Sequence, residues 1–498
     1  MPIDIPAALQ IIITIIYALT VVGTILVVVS ENRNPIRTLA WVLVLVFVPA
    51  VGILFFYFFG QDNRKKKSIS LHYKQTGKAL EVRNRLVDDV ADLHQGFDTM
   101  KPGNIYDSER AMASMHPIPG AVKLISLLER NNDAVLLRGS EVEIITDGVR
   151  KFDALLRDIE EARHHIHIQY FLFANDESGC KIKDALMKKA SEGVEVRFLY
   201  DNVANISISS RFYNEMRSSG VRVVSFMNVS MPWFKSRMNY RNHRKVVVID
   251  GCIGYVGGMN VGNKYFYNSN WRDTHLRITG KGVYGLQQSF LADWYTSNDE
   301  RLSDDLLYYP PCKEKSVNML QIATSGPNTA WANLLQAAIN IAVTSRHYLY
   351  IQTPYFLPAD SLLDALQTTA LSGADVRLMV SRKSDSPYID PAARSYYSEL
   401  LRAGMRIYEH QTKFIHAKTI VSDDFISVIG SANMDFRSFE SNFEINCYLY
   451  DRELAEQSKQ LFFNDMLECK EIVLDAWEQR SRWSRLAESV MRLFAPLM

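Results

Sequence analysis

The chain has 498 residues, 47% hydrophobic and 22% charged, which is enough for two or three domains with sizeable cores. Its 56 basic and 55 acidic residues give a net charge of +1, so no global positive field indicates a nucleic-acid partner. The cysteines (Cys180, Cys252, Cys312, Cys447 and Cys469) are scattered without a CxxC or His–Cys cluster, so the sequence predicts reduced structural thiols and no zinc site.

Two uncharged apolar stretches, 8–30 and 38–60, open the chain. Each is long enough to cross a hydrocarbon core of about 30 Å as a helix. A polar turn joins them, which predicts a transmembrane hairpin; a cleaved signal peptide and a buried helical hairpin are the alternatives. The basic run 64–67 places the remainder of the chain in the cytoplasm by the positive-inside rule. This run is also suited to anionic headgroups, although a plain stop-transfer flank explains it equally well.

A polar connector is predicted over 61–117, and beyond it the sequence repeats itself. The β-rich stretch 161–173 resembles 344–358, and each is followed by an amphipathic helix, a glycine and an apolar strand. Alternating helices and strands predict an α/β fold with helix-flanked sheets. We expect two similar domains, 118–310 and 311–470, packed about a pseudo-twofold axis.

The polar residues repeat as well. "HRKVVVIDGCIGYVGGMN" and "HAKTIVSDDFISVIGSAN" both fit His-x-Lys-x4-Asp-x6-Gly-[Gly/Ser]-x-Asn without a gap. The first copy supplies His243, Lys245, Asp250, Gly257, Gly258 and Asn260, and the second supplies His416, Lys418, Asp423, Gly430, Ser431 and Asn433. Two extended matches at equivalent points of a repeat are not explained by chance.

The spacing has a physical interpretation. In an extended segment residues i and i+2 face the same side, so the His and Lys of each copy point together. A hairpin after the apolar strand would return the Asn beside them. Each half then offers an imidazole, an ammonium and an amide, all suited to the oxygens of a phosphate.

The duplicated motifs resemble those of the phospholipase D superfamily, over about 122–469. With the N-terminal hairpin, and "ENRNPIRTLAWVLVLVFVP" in particular, the chain resembles the bacterial cardiolipin synthases that have two transmembrane helices. This resemblance implies phosphatidyl transfer between two phosphatidylglycerol molecules, giving cardiolipin and glycerol. It further implies an enzyme of the bacterial inner membrane with cytoplasmic catalytic domains, acting on phosphatidylglycerol and other anionic lipids without a cofactor or nucleic acid. The oligomeric state stays open.

The resemblance also implies roles for the motif residues. One histidine attacks phosphorus to give a phosphatidyl-histidine, and the other protonates the leaving alcohol and then deprotonates the incoming one. By family precedent His243 is the nucleophile and His416 the acid/base, although the near-equivalent copies do not separate the two roles. Lys245, Lys418 and the two Asn would hold the phosphate in place of a metal.

Each histidine needs an orienting carboxylate on its other nitrogen. Asp273 in "WRDTH" and Glu444 in "NFEIN" follow the two motifs at similar distances, which fits an orienting acid in each half. A surface carboxylate is the alternative. Asp250 and Asp423 belong to the catalytic motif, but they are expected to hold the hairpin turn or a buried hydrogen bond.

Several residues carry weaker signals. Gln169 and Gln352 occupy matching strand ends, where they line a headgroup site or are packed amides. Weaker candidates of the same kind are Tyr355, Arg394 and Tyr397, whereas His164, His165, His167 and His347 are expected to be polar strand positions. The segment 471–498 predicts an amphipathic basic helix, either at a membrane interface or docked on its own domain. Its apolar positions are Trp483, Leu486, Ala487, Val490, Leu493, Phe494 and Leu497.

The motifs leave other functions open. A phospholipase D that uses water, or a transferase with another acceptor, differs only in water exclusion and in a second lipid site, which the sequence does not reveal. A nuclease on the same motifs is disfavoured by the apolar N-terminus and the neutral net charge. A membrane-anchored scaffold has no need for intact His and Lys in both copies.

Overall fold

The computed structural model describes residues 7–30, 35–48, 119–226, 240–267, 270–298, 306–313 and 318–495, with positions 52–53, 56, 300, 302 and 316. The chain divides into two compact units, residues 1–67 with 229–240, and residues 68–228 with 241–498. The predicted connector 61–117, the basic run 64–67 and much of the predicted span 38–60 lie outside the described residues.

The described part of the first unit includes the helices α1 (Ala7–Ser30) and α2 (Pro35–Phe47), which fall on the two apolar stretches. They form a small core around Val28, Leu45 and Phe56. Among the residues described, no helix combines the length and the apolar character needed to cross a bilayer.

The second unit has two halves, each built on one large sheet. In chain order, the strands up to residue 279 are β1 (Leu137–Arg138), β2 (Glu141–Ile145), β3 (His165–Tyr170), β4 (Glu195–Asp201), β5 (Arg222–Phe226), β6 (Val246–Ile249), β7 (Ile253–Gly257), β8 (Trp271–Arg272) and β9 (His275–Thr279). The helices up to residue 298 are α3 (Pro119–Asn132), α4 (Gly148–Glu161), α5 (Glu177–Ser191), α6 (Ser210–Ser218), α7 (Asn263–Phe266) and α8 (Val283–Asn298). All of these except α3 and β1 build the first half. Seven strands form a sheet in the order β2-β9-β7-β6-β3-β4-β5, in which β3, β4 and β5 are parallel.

The second half repeats this arrangement. Its strands are β10 (Met319–Ser325), β11 (Tyr348–Gln352), β12 (Phe356–Leu357), β13 (Asp375–Ser381), β14 (Arg406–His410), β15 (Phe414–Ile415), β16 (Thr419–Ser422), β17 (Ile426–Gly430), β18 (Met434–Asp435), β19 (Glu444–Tyr450) and β20 (Cys469–Ile472). Its helices are α9 (Asn333–Thr344), α10 (Asp360–Leu371), α11 (Ile389–Arg394), α12 (Tyr397–Arg402), α13 (Phe436–Glu440), α14 (Arg452–Met466), α15 (Leu474–Glu478) and α16 (Arg482–Leu493). The sheet order is β1-β10-β19-β17-β16-β11-β13-β14-β20, with β11, β13 and β14 parallel. The predicted α/β fold with two helix-flanked sheets is confirmed.

The strand β6 shows why its sequence is apolar without alternation. Val247 and Ile249 pack into the helix-covered core of the first half. Val246 and Val248 face the other way and pack against the second sheet, where Ile445 is one of their neighbours. Because both faces of β6 are covered, all four residues are buried, and the strand holds the preceding motif residues rigidly.

The N-terminal part of the second unit packs with the second half, although the predicted boundary at 118 assigns it to the first. Leu124 and Leu128 of α3 belong to the same core as Leu335 and Ile341 of α9. The strand β1 pairs with β10 at the edge of the nine-stranded sheet. The chain therefore contributes to the second half before it builds the first.

The structure corrects the prediction of five reduced thiols. Cys252 and Cys312 form a disulfide with their Cα atoms 5.9 Å apart, whereas Cys180, Cys447 and Cys469 are free. The partners are 60 residues apart in sequence, and they meet because the segment leading to the second half returns to the turn between β6 and β7. Spacing alone could not reveal that approach.

The C-terminal helix α16 docks on its own domain, as one of the two alternatives predicts. Arg492 ion-pairs with Glu399 at 2.8 Å, and Met491 packs against the core of the second half. Its apolar side chains Trp483 and Leu493 are nevertheless 81% and 77% exposed. The helix is therefore anchored to its own domain by polar and apolar contacts and keeps other apolar side chains exposed, and its place at a membrane interface stays a prediction.

Candidate active site

Each motif histidine lies just before a central strand, on a segment that pairs with the opposite half. Ahead of β6, the backbone N–H of His243 donates to the carbonyl of Phe443 at 2.9 Å. Ahead of β16, the N–H of His416 donates to the carbonyl of Arg272 at 2.7 Å, and β15 pairs in parallel with β8. These backbone bonds bring the two motifs together, so that each histidine lies within the electrostatic influence of the lysine of the other motif.

The orienting carboxylates are crossed between the halves. The Nδ1 of His243 lies 2.9 Å from an oxygen of Glu444, and the Nδ1 of His416 lies 2.5 Å from Oδ2 of Asp273. The expectation that each half supplies its own orienting acid is therefore wrong, although both acids are the expected residues. The backbone hydrogen bonds between the halves explain this exchange. Glu444 directly follows Phe443, which accepts from His243, and Asp273 directly follows Arg272, which accepts from His416.

Both carboxyls are held in place by their own surroundings. Glu444 also accepts from the hydroxyl of Ser431 at 2.5 Å, and Asp273 accepts from the backbone N–H of Thr274 at 2.7 Å. A Cβ on Gly258 would come within 2.1 Å of Asp273, so the small residue of the first motif makes room for the acid. Burial by itself would raise the pKa of each carboxyl, but interactions with the neighbouring histidine and lysines, together with hydrogen bonds, outweigh it and lower the pKa. Both acids thus stay ionised and accept from Nδ1, which leaves Nε2 for chemistry.

The two imidazoles are neutral near neutral pH. Burial lowers the pKa of His243 below its ordinary value, against the opposing charge of Glu444. Burial also lowers the pKa of His416 to about 4, with a further contribution from Lys418 and opposition from Asp273. A neutral imidazole held through Nδ1 is a competent nucleophile at Nε2.

The two lysines are buried cations with few partners. The Nζ of Lys245 donates to the carbonyl of His243 at 2.5 Å, and Lys418 donates to the carbonyl of His416 in the same way. Burial lowers the pKa of Lys245 to about 7 and that of Lys418 to about 8, against the charges of the two acids. An anion bound between them would compensate that burial, so the pair is suited to a phosphate.

The motif aspartates lie away from this chemistry. Asp250 has a positive φ of 49° and accepts from the backbone N–H groups of Arg163, His164 and His165 at 2.7–2.9 Å. Asp423, with a φ of 51°, accepts from three consecutive backbone N–H groups ahead of β11. Each ties a hairpin turn to the start of the neighbouring strand, and their place in the catalytic motif is thus structural.

The motif asparagines are hydrogen-bonded within the protein, and their role as phosphate ligands stays a prediction. The Nδ2 of Asn260 donates to the hydroxyl of Tyr265 at 2.9 Å, and its Oδ1 accepts from the N–H of Leu172 at 3.2 Å. The Nδ2 of Asn433 donates to Asp435 at 3.1 Å, and its buried Oδ1 has no hydrogen-bond partner among the described residues. Both amides therefore make protein contacts at the site.

The two glutamines are packed amides. Gln169 donates to Asn242 at 2.8 Å and to Asp293 at 2.7 Å, all buried behind the site. Gln352 donates to Asp465 at 2.8 Å. They support the strand ends and do not line a headgroup site.

The remaining weak candidates fall in different places. Arg394 pairs with Glu409 at 3.3 Å, and Tyr397 is buried against Trp477, so neither reaches the histidines. Tyr355 lies at the site, where its ring is 6.4 Å from that of Phe414, the residue two positions before His416.

The histidines outside the two motifs differ in their burial. His165 and His167 are fully buried and share the side chain of Gln287, so they form an internal network instead of simple polar strand positions. His347 is exposed, and its backbone N–H donates to Asp423.

Aromatic side chains around the histidines were not among the predicted residues. The ring centroid of Phe171 lies 4.8 Å from that of His243. Those of Trp271 and Phe414 lie 5.1 and 5.9 Å from that of His416. In an extended segment, side chains two positions apart face the same side. Phe171 follows Gln169 by two positions, and Trp271 and Phe414 precede Asp273 and His416 by two, so this spacing could have identified them.

Comparison with known proteins agrees with this geometry. A family model described as "Cardiolipin synthase, PLD-like domain" matches residues 155–294 and 337–466. A second model, "Phospholipase_D-nuclease N-terminal", matches residues 12–61. Each histidine motif lies inside one of the two matched domain regions.

Relatives of nearly the same length are found in species of Bacillus and Listeria. The major cardiolipin synthase ClsA of Bacillus subtilis is 37% identical over 98% of this chain and 99% of its own length. A cardiolipin synthase of Listeria monocytogenes is 35% identical over 94% and 95% of the two chains. Among solved structures, a phosphatidylserine synthase of Haemophilus influenzae is 14% identical with a TM-score of 0.57, covering 76% of this chain and 98% of that one, and supports the fold alone.

Proposed function

Because the chain belongs to the family of phospholipase D-type cardiolipin synthases, we propose that it transfers a phosphatidyl group from one phosphatidylglycerol to another, giving cardiolipin and glycerol. It is a phosphatidyltransferase of that family. The observation that carries the mechanism is the pair of motif histidines, each held through Nδ1 by a buried carboxylate of the opposite half.

In the first step, Nε2 of His243 attacks the phosphorus of the donor. The bond from phosphorus to the glycerol oxygen breaks, and that oxygen takes a proton from Nε2 of His416 and leaves as glycerol. His416 is neutral in the substrate-free enzyme, because burial lowers its pKa to about 4. The negative phosphodiester raises that pKa on binding, so the proton is taken up together with the substrate.

In the second step, the terminal hydroxyl of the acceptor phosphatidylglycerol gives its proton to Nε2 of His416. The oxygen bonds to phosphorus, the bond between phosphorus and His243 breaks, and both histidines return to their starting states. Throughout, Lys245 and Lys418 balance the charge on the non-bridging oxygens. Their buried ammonium groups are most favourable when that negative charge is greatest, in the transition state.

The first experiment is a product assay. Purified full-length enzyme is incubated with phosphatidylglycerol vesicles, and the lipids are separated by chromatography. We expect cardiolipin as the main product and no product from His243→Ala or His416→Ala, while the exposed His347→Ala is active. Phosphatidic acid as the main product would instead identify a hydrolase, and activity in either catalytic variant would contradict the paired mechanism.

For the N-terminal region we propose a membrane hairpin of the two apolar stretches, 8–30 and 38–60, with the second unit on the cytoplasmic side. The absence of charged residues from both stretches supports the hairpin, and the basic run at 64–67 supports the orientation. Protease treatment of inverted membrane vesicles should digest the second unit. If the second unit were protected in inverted vesicles and digested from the outside of intact spheroplasts, it would lie on the outer side of the membrane, and the proposed orientation would be wrong.

A further inference from the structure

The catalytic residues repeat in the two halves, but the residues at the rim of the site do not. Beside His416 lie Lys264, Trp271, Tyr355 and Asp385, which we call the rim cluster. The ammonium of Lys264 sits 3.9 Å from the centroid of the Trp271 ring, which itself packs on His416. The rim cluster thus adjoins the catalytic imidazole.

Asp385 is the centre of this cluster. The hydroxyl of Tyr355 donates to its Oδ1 at 2.5 Å, and Lys264 lies 3.8 Å from its Oδ2. Its side chain is 43% exposed, and its charge acts on the buried Lys418. Asp385 thus lies within electrostatic range of Lys418 and is open to incoming molecules, but a carboxylate is not needed to bind a phosphate.

The other half has no such carboxylate at the equivalent place. Asp385 is the fourth residue after the end of β13, and the fourth residue after β4 is Asn205. Asn205 is 2% exposed, and its amide bonds to the backbone carbonyls of Phe171 and Asp201 at 2.7 and 2.8 Å. At equivalent positions of the repeat, the His243 side therefore has a buried amide, Asn205, and the His416 side has an exposed carboxylate, Asp385.

The chemistry of a carboxylate decides what this side can bind. It repels a phosphodiester but accepts hydrogen bonds from hydroxyl groups, and with two oxygens it can accept from both hydroxyls of a diol. Tyr355 fixes one oxygen, and Lys264 offsets the charge that would otherwise repel an anionic lipid. The glycerol headgroup of phosphatidylglycerol carries two free hydroxyls, of which one reacts and the other remains to be held.

We propose that Asp385, positioned by Tyr355 and Lys264, accepts hydrogen bonds from the hydroxyls of the glycerol headgroup beside His416 and so selects a polyol over a simple alcohol as acceptor. This inference rests on the proposed phosphatidyl transfer and names the residue that recognises the acceptor. The reacting hydroxyl gives its proton to His416, and its oxygen bonds to phosphorus as the His243 bond breaks; the second hydroxyl stays on Asp385. The same contact holds the glycerol that leaves in the first step.

The test is a competition between acceptors. Full-length wild-type enzyme, Asp385→Asn and the control Asp360→Asn, an exposed aspartate of the same half, are each given phosphatidylglycerol vesicles with added ethanol. The ratio of cardiolipin to phosphatidylethanol should fall about 10- to 100-fold in Asp385→Asn, the effect of losing a hydrogen bond to a charged group. The control should keep the wild-type ratio, and Tyr355→Phe should lower it in the same direction.

The outcomes separate this inference from the proposed function. A wild-type enzyme that makes no cardiolipin overturns the proposed function and the inference with it. A wild-type enzyme that makes cardiolipin, with an unchanged ratio in Asp385→Asn and Tyr355→Phe, overturns the inference alone. Should Asp385→Asn fail to fold, the ratio measured for Tyr355→Phe decides.

Discussion

The crossed contacts predict that each acid variant will behave like the variant of the histidine in the opposite half. Asp273→Asn removes a carboxylate 2.5 Å from Nδ1 of His416, in a pair whose side chains are 9% and 1% exposed. Breaking a buried pair of this kind costs about 3–5 kcal/mol. If the loss is felt in the transition state, cardiolipin synthesis falls by about 10²- to 10⁴-fold.

The assay that separates the two histidines uses a phosphatidyl donor with a p-nitrophenyl leaving group, which departs without a proton. The burst of p-nitrophenol then reports attack by the nucleophile, and it needs no general acid. The variants His243→Ala and His416→Ala first establish which histidine supports the burst. We expect Asp273→Asn to match His416→Ala and Glu444→Gln to match His243→Ala, whichever histidine proves to be the nucleophile.

The reasoning fails if the variants match within each half. A burst in Asp273→Asn that resembles that of His243→Ala would mean that the acid acts on the histidine of its own sequence motif. Equal losses in both acid variants, in both the burst and the turnover, would also contradict the crossed arrangement, because only one histidine is needed for the burst.

Three further predictions concern stability and covalent state. Asp250→Ala should lower the free energy of unfolding by about 3 kcal/mol in a denaturant titration, because three backbone N–H groups lose a charged acceptor, and an unchanged midpoint would contradict that role. Lys245→Met should abolish activity yet stabilise the substrate-free protein by up to about 4 kcal/mol at pH 7, because burial penalises the charged lysine, and exposed Lys470→Met is the neutral control. Burial lowers the pKa of Lys245 to about 7, so above that pH the unfolded wild-type chain binds more protons than the folded one, and the stabilisation by Lys245→Met should shrink as the pH rises toward 10. Alkylation of the unreduced, denatured chain should modify three cysteines and spare Cys252 and Cys312, and modification of all five would refute the disulfide.

Much of the site could be predicted from the sequence because its residues repeat at fixed spacing. The alternation of side chains along an extended segment places His243 with Lys245 and His416 with Lys418, and the structure brings both pairs to one site, with His243 half-buried and the other three residues buried. Even the structural character of Asp250 follows from its position at the end of an apolar strand. These features depend on local geometry, which a short sequence window contains.

The remainder depends on contacts between distant segments. Asp273 and Glu444 follow their own motifs at similar distances, so the sequence favours pairing within each half, whereas the backbone bonds between the halves exchange the partners. The amide of Asn260 is engaged by Tyr265 through a turn whose geometry no spacing reveals. Asp385 lies in a loop without a motif, and only the folded chain brings it next to the rim of the site.

Because the acids are crossed, the first histidine is synthesised well before the acid that orients it. His243 is translated 201 residues before the carboxylate that orients it, a delay of about 10–40 s at ordinary rates of elongation. During that interval a chain whose first half is already folded has a histidine without its acid. A truncated chain that ends before Glu444 would have the same defect. The first histidine is therefore oriented only after the second half has been synthesised and has folded against the first.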